Sequence, residues 1–447
     1  MTLTRWELID LAVALLFSIH GRAPAEPAFA SPTALVAAPD GSQLFIACAT
    51  ANQVAVFDTE SAGTTHRIEV PAPPLGLTLS RNGALLYVSC AAPLSTICVI
   101  DTSRREIIER IQAGHTAMAP VLSPDEKTLY VCNRFNDDVS VIDLAAGRKT
   151  KRVRVEREPV AAAITPNGQY LVVANHLHAG AANHVRVGAS VSIIDTTAGR
   201  VAKDIPLTEG AGLLRGAAVS PDGRFAAVTF VRARYWLSTT GVELGRINCN
   251  ALGLLDMERL ELLGILLLDQ TAYGAANPWA VTWTTDGKTI VVSHAGTHEL
   301  SLVDAPVEAD PSSFFNLRIG TYANDGRNIR PPPKHPVRVR KRLPLPGNGP
   351  RALAVAGSKL YVANYFSDNL CRIDLTTPEP SVEALQLVLR PKTGKEGWTS
   401  QAPPLVSPRS TLASRSADHP IPDVSGLSFA EPEVTDAVER VPADRFG

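Results

Sequence analysis

The chain has 447 residues, of which 45% are hydrophobic and 19% are charged, a composition that supports a large buried core and argues against global disorder. Its 43 basic residues nearly balance its 44 acidic ones, which leaves a formal net charge of −1. This balance provides no field that would attract nucleic acid or an anionic membrane.

The N-terminal segment has the pattern of a secretory signal. Arg5 precedes an apolar core from Leu11 to Ile19, and small residues follow at Ala23–Ala25 and Ala28–Ala30. An uncleaved anchor is the alternative, but the apolar core is much shorter than the roughly 20 residues that span a bilayer. We therefore expect residues 1–30 to be a signal peptide, the protein to be periplasmic or extracellular, and no transmembrane span elsewhere.

From residue 31 onward, a turn, an apolar second strand and a third strand ending in aspartate recur seven times. The turns include APDG at Ala38–Gly41, SPDE at Ser123–Glu126 and SPDG at Ser220–Gly223. Glycine and asparagine there accept the positive φ of a tight hairpin. The third strands are predicted to end at Asp58, Asp101, Asp143, Asp195, Asp256, Asp304 and Asp374.

A period of about 42 residues with four strands per unit is typical of propeller blades, because radial stacking buries both faces of each sheet. The sequence therefore predicts an all-β, seven-bladed β-propeller of four-stranded antiparallel blades over residues 31–390. Insertions are expected in blades 4 and 5, and a long excursion at 305–336 between the third and fourth strands of blade 6. The last outer strand is expected within Val382–Leu389, so that no strand is exchanged between the termini.

The repeat SPDEKTLYVCNRFNDDVSVIDLAAGR resembles the YVTN-family β-propeller repeat, most closely in LYVCN at Leu129–Asn133 and LYVAN at Leu360–Asn364. The segments GHTAMAP, NHLHAG and SHAGTHELS are similar to exported bacterial propellers that precede a cytochrome c peroxidase-like haem domain. That resemblance implies a cytochrome c-type partner. The chain departs from it, because it has no CxxCH motif and hence no covalent haem site. Residues 391–447 are expected to be a disordered tail or the remnant of a lost domain.

Two of the six cysteines, Cys90 and Cys98, end and restart consecutive predicted strands. A hairpin disulfide between them is permitted in an exported protein. The alternative is that both are buried thiols acting as small hydrophobic side chains.

In a four-stranded meander the connections alternate between the two ends of the blade, so loops between strands two and three share a face with the links between blades. This face is predicted to collect six of the ten histidines together with several arginines. We regard it as the best candidate for a site. Its predicted rim residues are His115, Arg157, His176, His178, His184, Arg215, Asn277, Trp279, His294, His298 and Arg351. Asn133 and the RFNDD loop reach the same face.

Three interpretations of this rim remain open. A metal site would use His176, His178, His294 and His298 as neutral imidazoles. An anionic ligand or the acidic rim of a partner protein would instead use the histidines and arginines together. In the third, these side chains only hydrogen-bond the loops to one another.

No GxSxG, HExxH or glycine-rich phosphate loop is present in the sequence, which gives catalysis by this chain little support. We therefore expect an exported, non-enzymatic binding or docking module for a cytochrome c-type redox partner or an anionic ligand. The alternative is a lactonase-like hydrolase or a metal-binding enzyme that uses the same rim, with Glu156, Glu209 and Glu299 as the nearest acids.

Overall fold

The computed structural model describes residues 29–184, 187–234, 247–270, 273–306, 337–377 and 379–387. Within these ranges the chain forms seven antiparallel sheets whose strands follow one another in sequence order. The predicted seven-bladed propeller is thereby confirmed. The signal segment up to residue 28, the tail 391–447 and the excursion from 307 to 336 lie outside the described residues. No helix in the described part of the chain is long and apolar enough to cross a membrane.

The first four blades occupy the N-terminal half of the ring. Blade 1 comprises β1 (Pro32–Ala37), β2 (Gln43–Cys48), β3 (Gln53–Asp58) and β4 (Gly63–Glu69). Blade 2 comprises β5 (Pro74–Leu79), β6 (Leu85–Cys90), β7 (Thr96–Asp101) and β8 (Glu106–Gln112). Blade 3 comprises β9 (Ala117–Leu122), β10 (Thr128–Asn133), a short 3₁₀ helix (Arg134–Asn136), β11 (Asp138–Asp143) and β12 (Arg148–Arg154). Blade 4 comprises β13 (Pro159–Ile164), β14 (Tyr170–Asn175), β15 (Ser190–Asp195) and β16 (Arg200–Pro206).

The remaining three blades follow the same plan, except that the innermost strand of blade 5 is split. Blade 5 comprises β17 (Ala211–Gly212), β18 (Ala217–Val219), β19 (Phe225–Ala233), β20 (Asn248–Asp256) and β21 (Glu261–Leu267). Blade 6 comprises β22 (Pro278–Trp283), β23 (Thr289–His294), β24 (Glu299–Asp304) and β25 (Val339–Pro344). Blade 7 comprises β26 (Pro350–Ala356), β27 (Lys359–Asn364), β28 (Asn369–Asp374) and β29 (Val382–Gln386).

The predicted turns join the first and second strands of the blades and are held by local hydrogen bonds. In blade 6, the hydroxyl of Thr284 donates to Asp286 Oδ1 at 2.6 Å, and the Lys288 amide donates to the same oxygen at 3.0 Å. Gly287 closes the turn at φ 69°, a conformation that glycine adopts without steric cost. These turns and the loops between the third and fourth strands form one end of the ring, which we call the turn face.

Among the described residues the core forms seven hydrophobic clusters, and each cluster joins two neighbouring blades. The cluster between the last and first blades contains Leu44 of β2 and Tyr361 of β27, both almost fully buried. The Ser31 amide also donates to Asp368 Oδ1 at 2.7 Å across this junction. In the described residues the ring therefore closes by packing, with no strand exchange between blades 1 and 7, as predicted.

A cross-strand pair recurs where the second strand ends. The Asn133 amide nitrogen donates to Ser140 Oγ at 2.7 Å, and the same two positions hold Asn175 with Ser192 and Asn364 with Cys371. In blade 2 this pair is Cys90 and Cys98, with 3.8 Å between the sulfur atoms. All six cysteines are buried thiols in the structure. The hydrogen bond between Cys90 and Cys98 lowers the pKa of Cys98 and, with burial, raises that of Cys90.

Candidate functional site

The other end of the ring, which we call the loop face, carries the loops between second and third strands and the links between blades. The innermost strands begin here, around the mouth of the central channel. Several of these strands contain a β-bulge just after their first residue, for example at Leu75 in β5, Val160 in β13 and Arg351 in β26. A bulge of this kind re-aims the side chain it carries.

Arg215, Trp279 and Arg351 meet at the channel mouth. The guanidinium carbon of Arg215 lies 4.2 Å from the centre of the Trp279 ring, and that of Arg351 lies 4.4 Å from the same centre. Arg351 also lies 3.5 Å from the centre of the Tyr365 ring. Burial lowers the pKa of Arg351, and its buried Nε has no hydrogen-bond partner. Three predicted rim residues from blades 5, 6 and 7 thus form one cluster, which we call the arginine–tryptophan cluster.

A second group lies beside it, on blades 3 and 4. Arg134 donates from Nε and Nη2 to Glu158 Oε2 at 3.0 and 2.8 Å. His176 is buried, and its Nδ1 donates to the carbonyl of Leu214 at 2.8 Å. Burial is the main cause that lowers the pKa of His176, and the charges of Arg215 and Arg134 lower it further. His176 is therefore held as a neutral imidazole whose Nε2 carries the lone pair.

The four histidines predicted as metal ligands have other roles in this geometry. His294 is fully buried; its Nδ1 donates to the Ala275 carbonyl at 3.0 Å and its Nε2 accepts from Ser301 Oγ at 2.8 Å. His178 Nδ1 donates to the Gly188 carbonyl, and His298 Nδ1 accepts from the Gly349 amide. Across the described ranges, no three His, Cys, Asp or Glu side chains are grouped to hold a metal ion. The metal site stays a prediction that this geometry does not favour.

The remaining predicted rim residues lie on the loop face, and among them only Arg157 contacts one of the two groups, through Glu158. His115 contacts the edge of Phe135, with ring centres 5.2 Å apart. Arg157 is exposed and lies 3.7 Å from Glu158 Oε1. His184 and Asn277 are exposed, and Asn277 adopts a positive φ of 55° in the link to blade 6.

Exposed apolar side chains are concentrated on the loop face. Seven of the eight exposed large hydrophobic residues in the described part of the chain lie in its loops, and the eighth, Ile108, lies on the outer strand β8. The seven are Phe29, Leu94, Phe135, Leu213, Ile247, Tyr273 and Phe366. Apolar side chains gathered on one surface are typical of an interaction site, whereas scattered ones are not.

The loop face also has a cavity of about 410 Å³, which is lined by Phe135, Asp137, Arg154, Arg157 and Glu158 among others. A larger cavity of about 780 Å³ lies between blades 6 and 7 on the turn face, with Asp286, Arg340 and Glu379 in its wall. The strands beside that larger cavity lead into residues 307–336, outside the described ranges. We therefore place the candidate site on the loop face, where the charged and apolar groups coincide.

Sequence reasoning named Arg134 only as part of the RFNDD loop, and it missed Glu158 and Tyr365. It named Glu156, Glu209 and Glu299 as the acids nearest the rim, whereas Glu158 is the acid that pairs with Arg134. The repeat contained a signal, because Arg134, His176 and Tyr365 each directly follow the asparagine that ends a second strand. An alignment of the repeats would have placed all three at equivalent positions on the loop face.

Comparisons with known proteins agree with the fold. Residues 101–190 match the family described as "Lactonase, 7-bladed beta-propeller". Over 52% of its length the chain is 27% identical to hydrazine synthase subunit beta of Kuenenia stuttgartiensis, and this match covers 58% of that protein. Over 39% of its length it is 24% identical to antigen Lp49 of Leptospira interrogans, covering 40% of that protein.

A solved structure of hydrazine synthase from Kuenenia stuttgartiensis is similar with a TM-score of 0.66 and 25% identity. The similarity covers 80% of this chain and 99% of that one. The chain spans less than two thirds of the length of the two curated relatives it matches. The chain is a seven-bladed β-propeller related to these proteins.

Proposed function

We propose that the propeller is a non-enzymatic docking subunit that binds a partner protein through its loop face. This proposal rests on one observation. In the described part of the chain, seven of the eight exposed large hydrophobic residues lie on that face. Phe135 and Phe366 are more than half exposed. Exposed aromatic side chains of this kind are the usual anchors of a protein interface.

The charge of the loop face defines the chemistry of the partner. Arg134, Arg215 and Arg351 lie at the channel mouth. Glu158 is paired with Arg134 and, at a longer distance, with Arg157 in the link between blades 3 and 4. The excess of positive charge favours a partner whose contact surface combines apolar and acidic groups. The similarity to a protein named as a subunit of hydrazine synthase supports a role inside a multi-subunit assembly.

The proposal includes the identity of the partner and the compartment. The resemblance of the repeat to exported propellers that precede a haem domain supports a cytochrome c-type partner, met in the periplasm or outside the cell. In such an assembly the haem chemistry belongs to the partner, and this chain supplies position and contact surface.

Binding to a purified c-type cytochrome from the same organism tests the proposal. We expect saturable binding by surface plasmon resonance that weakens with added salt, because charges are screened. The variant carrying F135S and F366S should reduce affinity by about tenfold or more, since each removes an exposed aromatic anchor. The matched control is I108S, which removes an exposed hydrophobic residue from the outer strand.

Hydrogen exchange of the complex separates docking from partner identity. Protection should appear at residues 134–137 and 365–368 and not in the turns at 80–83 and 123–126. Equal losses of affinity in F135S/F366S and I108S, or protection confined to the turns, would contradict docking through the loop face. If a different co-expressed subunit protects the same loops, docking holds and the cytochrome assignment is wrong.

Hydrolysis of a lactone is the second candidate, because the lactonase match at 101–190 contains Arg134, Glu158 and His176. The Nε2 of neutral His176 is suited to act as a general base beside a cation. Turnover of small lactones by the purified protein, abolished in H176Q, would favour this activity. Absence of turnover above the spontaneous rate would rule it out for the lactones tested.

A further inference from the structure

The arginine–tryptophan cluster follows from the repeat register. Arg215, Trp279 and Arg351 each lie five residues before the first residue of the following turn, at Ser220, Thr284 and Ala356. Equivalent positions of consecutive blades stand side by side around the channel, which is why the three side chains touch. The same position in blades 1 to 4 holds side chains without charge: Thr33, Leu75, Met118 and Val160.

Neither Arg215 nor Arg351 forms an ion pair with a carboxylate in the described ranges, whereas Arg134 is paired with Glu158. Burial lowers the pKa of Arg215 to about 10, and the charges of Arg134 and Arg351 contribute to this shift. Partly buried cations that repel one another are unfavourable without a counter-charge. The mouth therefore has two guanidinium groups that an anion would stabilise.

The position of Trp279 restricts the shape of that anion. The two guanidinium groups approach one indole ring from the blades on either side of blade 6. Arginine pairs best with a planar carboxylate through two parallel N–H···O bonds. An anion with a single carboxylate makes this forked contact with one arginine at a time, whereas two linked carboxylates can make it with both.

We propose that the channel mouth at blades 5 to 7 is a binding site for a small dicarboxylate, with one carboxylate on Arg215 and one on Arg351. The carbon chain of the ligand then lies beside Trp279, which stands between these two arginines in the order of the blades. This site does not require a docked protein, and so it stands or falls separately from the docking function.

Isothermal titration calorimetry of the full chain with glutarate, at neutral pH and low salt, tests the site. We expect one glutarate per chain, with butyrate and inorganic phosphate binding at least about tenfold more weakly, because each engages one arginine. R215Q and R351Q should each weaken glutarate binding by about tenfold or more. The charge-matched control R104Q, on the turn face, should leave the affinity unchanged.

Thermal unfolding of each variant distinguishes a binding role from a structural one. If the arginines only tie blades together, R215Q and R351Q will lower the melting temperature and leave glutarate binding intact, which would overturn the proposal. R351K keeps the charge and loses the forked geometry, so it should bind glutarate more weakly than the unmodified protein and more tightly than R351Q.

The source of the carboxylates is tested by competition. An acetylated, amidated peptide of two glutamates presents the same pair of groups as an acidic segment of a docked protein. Tighter binding of this peptide than of glutarate would overturn the assignment to a small free acid. Absence of saturable heat with glutarate, or equal affinity for glutarate and phosphate, would overturn the dicarboxylate site as a whole.

Discussion

The turn face and the loop face are built from the same repeat, but their ionisable groups are stabilised in opposite ways. On the turn face, hydroxyl and amide donors within the same turn lower the pKa of the carboxyls and favour their charged form, as at Asp40, Asp125 and Asp286. On the loop face, burial lowers the pKa of His176, His294, Arg215 and Arg351 and disfavours their charged form.

This difference shows which face of the propeller keeps charged and aromatic groups available to a ligand or partner. In most blades the turn satisfies its own polar groups within a few residues, as at Ser123, Thr165, Ser220 and Thr284. The loop face satisfies its polar groups between strands and between blades, as in Arg134 with Glu158 and His176 with Leu214. Surplus positive charge and exposed aromatic side chains remain there, and both are features that ligands and partners use.

The largest effect is expected from the buried asparagine of the cross-strand pair. Asn133 donates to Asp138 Oδ1 and Ser140 Oγ and accepts from the Gly114 amide. N133A leaves these buried groups without partners and should lower the free energy of unfolding by about 3 kcal/mol in urea titrations. The turn-face control N167A removes an exposed asparagine and should cost about 1 kcal/mol or less. Equal losses of unfolding free energy in N133A and N167A would show that asparagine side chains stabilise the two faces equally.

The next effect concerns acid stability. Burial first, and then the charge of Arg342, lowers the pKa of His294 to about 3, whereas the unfolded chain binds this proton near pH 6.5. The contribution of neutral His294 to the free energy of unfolding is therefore fully present above pH 6.5 and is lost as the pH falls toward 3. Between pH 7 and pH 5 the loss should be about 2 kcal/mol, measured by denaturant titration at each pH.

H294N should remove this loss, because asparagine occupies the equivalent position in blades 3, 4 and 7 and bonds the same partner position. The control H66N alters an exposed histidine on β4 and should keep the wild-type slope. The acid loss that remains in H294N comes from His176, whose pKa is also lowered, and at lower pH from the turn-face aspartates as they become protonated. An unchanged slope in H294N would contradict the role of His294.

A smaller effect is expected on the titration of His176. The charges of Arg215 and Arg134 both contribute to lowering its pKa. R134Q removes one of these charges and breaks the ion pair of Arg134 with Glu158, so the pKa of His176 should rise, as measured by NMR titration of the imidazole. R104Q on the turn face should leave the titration unchanged. A fall in the pKa in R134Q would be inconsistent with the arrangement of the channel mouth.

The smallest effect is expected where the loop face is exposed. Leu94 is 68% exposed in the loop between β6 and β7. L94S should change the free energy of unfolding by less than about 0.5 kcal/mol, because little buried area is lost. L86S, which alters a fully buried residue of β6, should be strongly destabilising by comparison. A large loss in L94S would mean that this loop residue serves the fold and is not available to a partner.

Most of the framework was predictable from the sequence, because it depends on local chemistry repeated seven times. The turns at Ser123–Glu126 and Ser220–Gly223 and the strand ends at Asp143 and Asp374 lie where the repeat predicts them. The site was predicted in part, since Arg215, Trp279 and Arg351 were named as rim residues. Their contact was not predicted, because it depends on how the side chains of three neighbouring blades pack at the channel mouth.

The sequence alone determined the number of blades, the strands of each and the face on which the histidines and arginines gather, since hairpin turns and alternating strands are encoded within a few residues. Only the tertiary structure decided which of those residues act together. His294 forms a buried cross-strand pair, while Arg215 and Arg351 meet on Trp279, because burial and partners depend on how neighbouring blades pack. The packing of neighbouring blades thus gives some rim residues, such as His294, a structural role. It brings others, Arg215 and Arg351, together at the channel mouth.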